Sequence, residues 1–345
     1  MVRWNGCLSS IFSLSNGVRQ GAILSGILYC FYVNNLFKEL RKNGSGCWIK
    51  NNFHGMLGYS DDNWVLAPSI DALQEMMTII ERYCSIHNLK FSTDSDPSKC
   101  KTKCIAFLRK DRPLPSIILS GNRLPWVSSG VHLGNNFDCH YDGMCKDIAI
   151  KRAAYVQKNC EIIQEFYFAH PKTKLHINNV YNCHFTGSPL WNLFGFEAQK
   201  LEKTWNVSIR QMFDLPRETH RYLVEPGSEY PHLRKILMCR FISFLNQVNN
   251  SGKNVPKDLL NTIQYDTKSI TGNNIRNILR LTKKVKIEDV KKQDILKLDY
   301  FTIPEGENWR LNLIREIVET QNSVYEIQDF SVEELKDMLA YACTS

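Results

Sequence analysis

The residues of most chemical interest are two adjacent carboxylates, Asp61 and Asp62, which follow Tyr59 and Ser60 between two apolar, strand-like runs. Side by side at a turn their charges repel, and an alternating strand has no structural need of them. A divalent cation would offset that repulsion, because hard ions such as Mg²⁺ take carboxylate oxygens and keep several waters. A polar turn is the plainer alternative, since Asp side chains hydrogen-bond nearby backbone there. The dipeptide alone leaves both open. A second metal-capable set is Cys100 and Cys104, with Cys139, His140 and Cys145 further on. Strand-like segments separate its two parts, unlike a compact zinc knuckle, so these residues read as reduced, mostly buried thiols.

Neighbouring sequence gives the doublet a context. The run Ser15-Asn16-Gly17-Val18-Arg19-Gln20-Gly21-Ala22-Ile23-Leu24-Ser25, followed by Tyr59-Ser60-Asp61-Asp62, resembles the reverse transcriptases of non-LTR retrotransposons. Their motif B reads like G-V-R-Q-G-x-x-L-S and their motif C is Y-x-D-D. Asn88-Leu89-Lys90-Phe91 with Pro97-Ser98-Lys99 is similar to motif D, and Val131-His132-Leu133-Gly134 to the primer-gripping motif E. The resemblance implies RNA-templated addition of deoxynucleoside triphosphates to a DNA primer, with two Mg²⁺ ions about 3.5–4 Å apart. Asp61 would be the principal metal ligand and Asp62 its partner, with Tyr59 and Ser60 under the primer end. Gly17, Arg19, Gln20 and Gly21 would head the helix supporting template and nucleotide, where glycines allow close approach and a helix N-terminus favours phosphate. Leu133 and Gly134 would grip the primer. Lys99 would neutralise or protonate the leaving pyrophosphate, unless it is a surface lysine.

Two departures from the family pattern bear on activity. Ser60 stands where alanine is more usual, a tolerable change in size. More serious, the family places a further metal-binding aspartate in motif A, upstream of motif B, and motif B here lies close to Met1. The one acid before Ser60 is Glu39, between Lys38 and Arg41, better explained as a surface ion-pair partner; Asn34 and Asn35 are amides where many relatives are acidic. The expectation is a chain truncated before motif A, without fingers and inactive by itself. An alternative is a non-catalytic nucleic-acid-binding protein derived from such an enzyme. It draws on the basic Lys99–Arg112 segment and on Trp191 and Trp205, whose rings serve either base stacking or core packing. A third reading is a product with no selected role, its open sheet edge and exposed core face inviting aggregation.

The elements that must position these residues follow from periodicity. Ile23, Leu24, Ile27, Leu28, Phe31, Leu36 and Leu40 recur at helical spacing up to Arg41, with an exit at Gly44-Ser45-Gly46. Short strands are expected around Cys47–Phe53, Met56–Tyr59 and Trp64–Ala67. Ser69 is a plausible N-cap for a helix ending near Asn88, with Ile70, Leu73, Met76, Met77, Ile80 and Tyr83 as its core stripe. Further strands are expected at Ile105–Leu108, Ile117–Leu119 and Val131–Leu133. Beyond residue 140 the pattern turns helical: Ile148 to Ile163, Leu175 to Tyr181, Leu201 to Met212, Leu233–Leu245, Ile275–Leu281, Leu311–Val318 and Val332–Leu339. Asn249-Asn250-Ser251-Gly252 is a candidate secondary boundary. The expected class is α+β. Residues 1–135 would form a partial polymerase palm, an antiparallel sheet with helices and the YxDD hairpin. Residues 136–215 would form a helical thumb-like region and 216–345 a helical C-terminal region.

Composition sets outer bounds. The 345 residues are 43% hydrophobic and 23% charged, which excludes a wholly disordered or fibrous chain. Forty-three Lys+Arg against 35 Asp+Glu give a net charge of +8, compatible with a polyanionic partner. Six bases and one acid fall between Lys99 and Arg112, a phosphate-facing segment or a lysine-guarded strand edge. The acid-rich final segment argues against nucleic-acid contact there. Twelve cysteines are too few for a disulfide scaffold of this length. The longest apolar stretch, Ala22 to Val33, falls short of the roughly 20 residues a bilayer requires. No secretory signal pattern precedes it, so the expected setting is intracellular, nuclear or cytoplasmic, neither secreted nor in a membrane.

Overall fold

The structure is a computed structural model that describes residues 1, 3–11, 23–96, 98–108, 112–140, 144–182, 185–228, 230–266, 268–299, 306, 308 and 310–316. It mixes helices with small antiparallel sheets. The chain divides into two compact units, Met1–Cys104 with Lys110–Trp126, and Ile105–Arg109 with Val127–Ser345. No helix among the described residues is long and apolar enough to cross a membrane.

In the first unit, hairpin β1 (Arg3–Trp4)–β2 (Cys7–Leu8) precedes helix α1 (Ser25–Asn43). Hairpins β3 (Trp48–Ile49)–β4 (Asn52–Phe53) and β5 (Met56–Tyr59)–β6 (Asp62–Val65) follow, then helix α2 (Ile70–Ile86) and hairpin β7 (Ile117–Leu119)–β8 (Asn122–Leu124). Both helix ends anticipated from sequence have a physical cause. Gly44 takes φ 86, which costs a glycine little, and its N–H donates to Leu40 O at 3.1 Å. Ser69 Oγ accepts from Ala72 N at 3.2 Å and caps α2. Met76, Met77, Ile80 and Tyr83 enter the core with Leu36, Leu40, Met56 and Ile117, so the methionines pack as expected.

Three expectations for the first 126 residues are corrected. Only Leu36 and Leu40 of the anticipated α1 stripe are buried; Ile23, Leu24, Ile27, Leu28 and Phe31 are exposed. The α2 core contacts fall on the second half of α1, so periodicity located the apolar face but not its cover. Among the described residues the strands pair only within hairpins, in two-stranded ladders rather than one continuous sheet. Single bonds lengthen two of them: His54 N to Cys47 O at 2.8 Å, and Leu66 N to Gly55 O at 2.8 Å. No strand forms at Ile105–Leu108; pairing stops at an isolated bridge between Cys104 and Trp126, and Phe107 beyond it is exposed.

The second unit starts with hairpin β9 (Ser129–His132)–β10 (Asn135–Asp138). Helices α3 (Cys145–Glu165), α4 (Pro171–Tyr181), α5 (Phe196–Met212), α6 (Arg221–Ser228), α7 (Leu233–Asn250), α8 (Asn254–Ile263), α9 (Ile270–Thr282) and α10 (Lys292–Leu296) follow. The expected helices up to Leu281 fall on these, residues 310–316 are also helical, and Val332–Leu339 lies outside the described residues. The candidate boundary at Asn249–Gly252 is the end of α7 and the short turn before α8, and it does not divide the core, because Leu260 and Ile275 join the same cluster as Trp205 and Phe241. Trp191 and Trp205 are buried there, which settles them as core packing and removes them as stacking surfaces.

Polar contacts fix the hairpin of this unit to its helices. Asp147, fully buried on α3, accepts from Asn136 N at 2.8 Å, Trp191 Nε1 at 2.8 Å and Lys151 Nζ at 2.9 Å. Lys151 also donates to Asn135 Oδ1 at 2.8 Å and to the Thr186 carbonyl. One buried carboxylate thus joins β10, α3 and the segment bearing Trp191. Asp147→Ala would strand the Trp191 and Asn136 N–H groups and lower stability by roughly 3–5 kcal/mol, read from urea unfolding of the variant against the parent.

Candidate functional site

The carboxylate doublet sits on the β5–β6 hairpin. Pairing of Met56 with Val65, Leu57 with Trp64, Gly58 with Asn63 and Tyr59 with Asp62 leaves Ser60 and Asp61 as a two-residue turn. Ser60 takes φ 54, the positive first-turn angle of a type II′ hairpin. Asp61 therefore occupies the tip and Asp62 the first position of β6, and both are exposed. Neither joins an ion pair among the described residues. Tyr59 is 68% exposed beside them.

Helix α1 lies against this hairpin. A Cβ added at Gly26 would stand 3.8 Å from Ser60 Oγ, ordinary contact distance. Three residues further along α1, Tyr29 hydrogen-bonds the Asn63 side chain. Burial pushes the Tyr29 phenol up, the Asn63 bond pulls it back, and the Asp61 charge adds to the rise. Asn63 Nδ2 also donates to Asp61 O at 3.1 Å, bracing the turn from behind. Deeper in β5, Gly58 leaves room for Phe37 of α1: a Cβ there would meet Asn63 Oδ1 at 2.7 Å and Phe37 Cζ at 2.9 Å.

Gly58, Asn63, Tyr29 and Phe37 were not legible as site residues, although a glycine inside a strand is a signal of close approach. The other sequence-derived positions fare differently. Gly17, Arg19, Gln20 and Gly21 lie outside the described residues. Lys99 is exposed, 3.9 Å from Asp96, whose carboxyl is held below its ordinary range by bonds from the Ser98 side chain and backbone. Leu133 and Gly134, in the second unit, are the turn of β9–β10; their φ values of 48 and 72 are the type I′ pattern. Glu39 pairs with Arg82 at 3.1 Å on the surface, as its flanking charges suggested.

The cysteines divide. Cys84, Cys100 and Cys104 are buried in the first core, and burial pushes the Cys84 and Cys104 thiols up to about 11, so they stay protonated and inert. Cys7, Cys30 and Cys160 are exposed and Cys139 and Cys145 half-buried, fewer inside than expected.

The doublet supplies hard oxygen donors on a short rigid hairpin, open to solvent and free of a competing side-chain cation in those ion pairs. That donor set suits a divalent ion that keeps waters, and the exposed Tyr59 beside it leaves room for a large ligand. A family model described as reverse transcriptase (RNA-dependent DNA polymerase) matches residues 1–136. The match contains α1, the Asp61–Asp62 hairpin and the Leu133-Gly134 turn. A comparison with curated proteins found no match.

The bracing makes a testable statement about geometry. Gly58→Ala drives a methyl group into Phe37 and Asn63 and lowers stability by about 1–3 kcal/mol, read as a shift in the thermal unfolding midpoint. The same change at Gly121, a turn whose added Cβ meets nothing within 4 Å, costs only its backbone strain.

Proposed function

We propose that residues 1–135 are the palm portion of an RNA-directed DNA polymerase of the non-LTR retrotransposon kind. Residues 136–215 serve as its helical thumb and 216–345 as a helical C-terminal region. The observation that carries this reading is the Tyr59-Ser60-Asp61-Asp62 hairpin packed against the helix that follows the Gly17–Gly21 run, inside the stretch matched by the reverse transcriptase model.

Asp61 and Asp62 would hold Mg²⁺, which when bound activates the primer hydroxyl and offsets phosphate charge. The chain's own contribution is positional. The two-residue turn fixes both carboxylates, Asn63 and Tyr29 hold the turn, and Tyr59 and Ser60 support the primer end. Gly17, Arg19, Gln20 and Gly21 contact template and incoming deoxynucleoside triphosphate, Leu133 and Gly134 grip the primer, and Lys99 faces the pyrophosphate. Exposed bases on the same unit, among them Lys90, Lys101 and Lys103, supply sequence-independent attraction for template and primer.

Two carboxylates do not complete a two-metal centre. Glu39, the acid nearest in sequence before the hairpin, pairs with Arg82 on the surface. These 345 residues alone would therefore not extend a primer, because orientation and electrostatic stabilisation are each worth several kcal/mol.

The test is a gel extension assay on a homopolymer template–primer with Mg²⁺, paired with binding of the same duplex from about 50 to 200 mM salt. The expected result is binding that weakens steeply with salt and no extension above background. Salt-insensitive binding contradicts the nucleic-acid assignment. Robust extension abolished by Asp61→Ala overturns the incompleteness alone, and extension that survives Asp61→Ala overturns the role of the doublet.

A further inference from the structure

A second group of ligand-type side chains lies in the other unit, among residues given no role in the proposed polymerase site. Asp138, Cys139 and His140 each place one donor atom, a carboxylate oxygen, Sγ and a ring nitrogen, within 4.8 Å of one another. Three consecutive residues of an extended strand would point alternately to opposite faces. Here they converge because the chain leaves β10 at Asp138 and bends.

The backbone of all three is tied down. Asp138 pairs with Ser129 at the end of the β9–β10 ladder, and Cys139 N donates to Ser128 O at 2.8 Å. His140 N donates to Asp138 Oδ1 at 2.9 Å, which leaves Oδ2 for another partner. Asp138 and Cys139 are half-buried and His140 is exposed, so the group is shielded on one side and open on the other.

We propose that Asp138, Cys139 and His140 form a binding site for a borderline-soft divalent ion, Zn²⁺ first among them. The mixed sulfur, nitrogen and oxygen set is the one Zn²⁺ takes and Mg²⁺ does not. Zn–N and Zn–S bonds of about 2.0–2.3 Å put tetrahedral ligands about 3.3–3.8 Å apart, so binding needs a contraction of at most about 1.5 Å. Three protein ligands leave a fourth position for water or an incoming group. The ion would clamp the exit of the hairpin that carries Leu133 and Gly134, immediately before α3.

Titration of the metal-free 345-residue protein with Co²⁺ near neutral pH, followed by absorption, tests this directly. The expected result is a thiolate-to-cobalt charge-transfer band that saturates at about one ion per chain and is displaced by Zn²⁺ but not by excess Mg²⁺. Cys139→Ser, a one-atom change, removes the band. His140→Ala, at an exposed side chain, weakens binding at least about tenfold, the scale on which even outer partners of a metal act. Circular dichroism of both variants verifies the fold. A wild-type protein without a saturable band overturns the proposal, and so does a band undiminished in Cys139→Ser.

Discussion

The geometry of the first unit depends on how tightly a two-residue turn can be closed. Pairing of Tyr59 with Asp62 leaves Ser60 and Asp61 no freedom beyond the turn itself, and Ser60 accepts a left-handed φ to close it. Helix α1 packs against this hairpin: Gly26 faces Ser60, Tyr29 meets Asn63, and Phe37 fills the space left by Gly58. The turn keeps both carboxylates at one exposed end of the hairpin, where a hard cation can reach their oxygens.

Much of the supporting scaffold could be read from residues alone. Helices α1 and α2 follow from apolar spacing, and their ends from single residues with one physical job each, a left-handed glycine at 44 and a side-chain acceptor at Ser69. The placing of Asp61 and Asp62 on one hairpin was legible from the apolar, strand-like runs on either side of them. The brace behind it was not. Tyr29, Asn63 and Phe37 are ordinary residues made special by tertiary contact, and no local pattern marks which tyrosine of a helix will face a hairpin. Similarly, the apolar stripe of α1 revealed a face, while exposure of Ile23, Ile27 and Phe31 depends on what lies opposite. Ile105–Leu108 has strand propensity but no ladder partner among the described residues, and propensity cannot supply one.

The second unit is stabilised differently. Its core includes the large aromatic side chains of Tyr155, Trp191 and Trp205, and the fully buried carboxylate of Asp147 satisfies donors from three directions. That accounts for the two tryptophans as core packing rather than as exposed stacking surfaces. The hairpin at Leu133-Gly134 is fastened to α3 through this carboxylate by way of Asn136.

The central claim is that Asp61 and Asp62 anchor a hard divalent cation. Mn²⁺ stands in for Mg²⁺ and broadens nearby amide resonances, so a titration of isotopically labelled protein reads its position directly. The account predicts that signals of Tyr59, Ser60, Asp61 and Asp62 broaden at the lowest ion concentrations, and that an Asp61→Asn, Asp62→Asn double variant abolishes the effect. Broadening that spares this hairpin while affecting other residues, or that persists unchanged in the double variant, would contradict it.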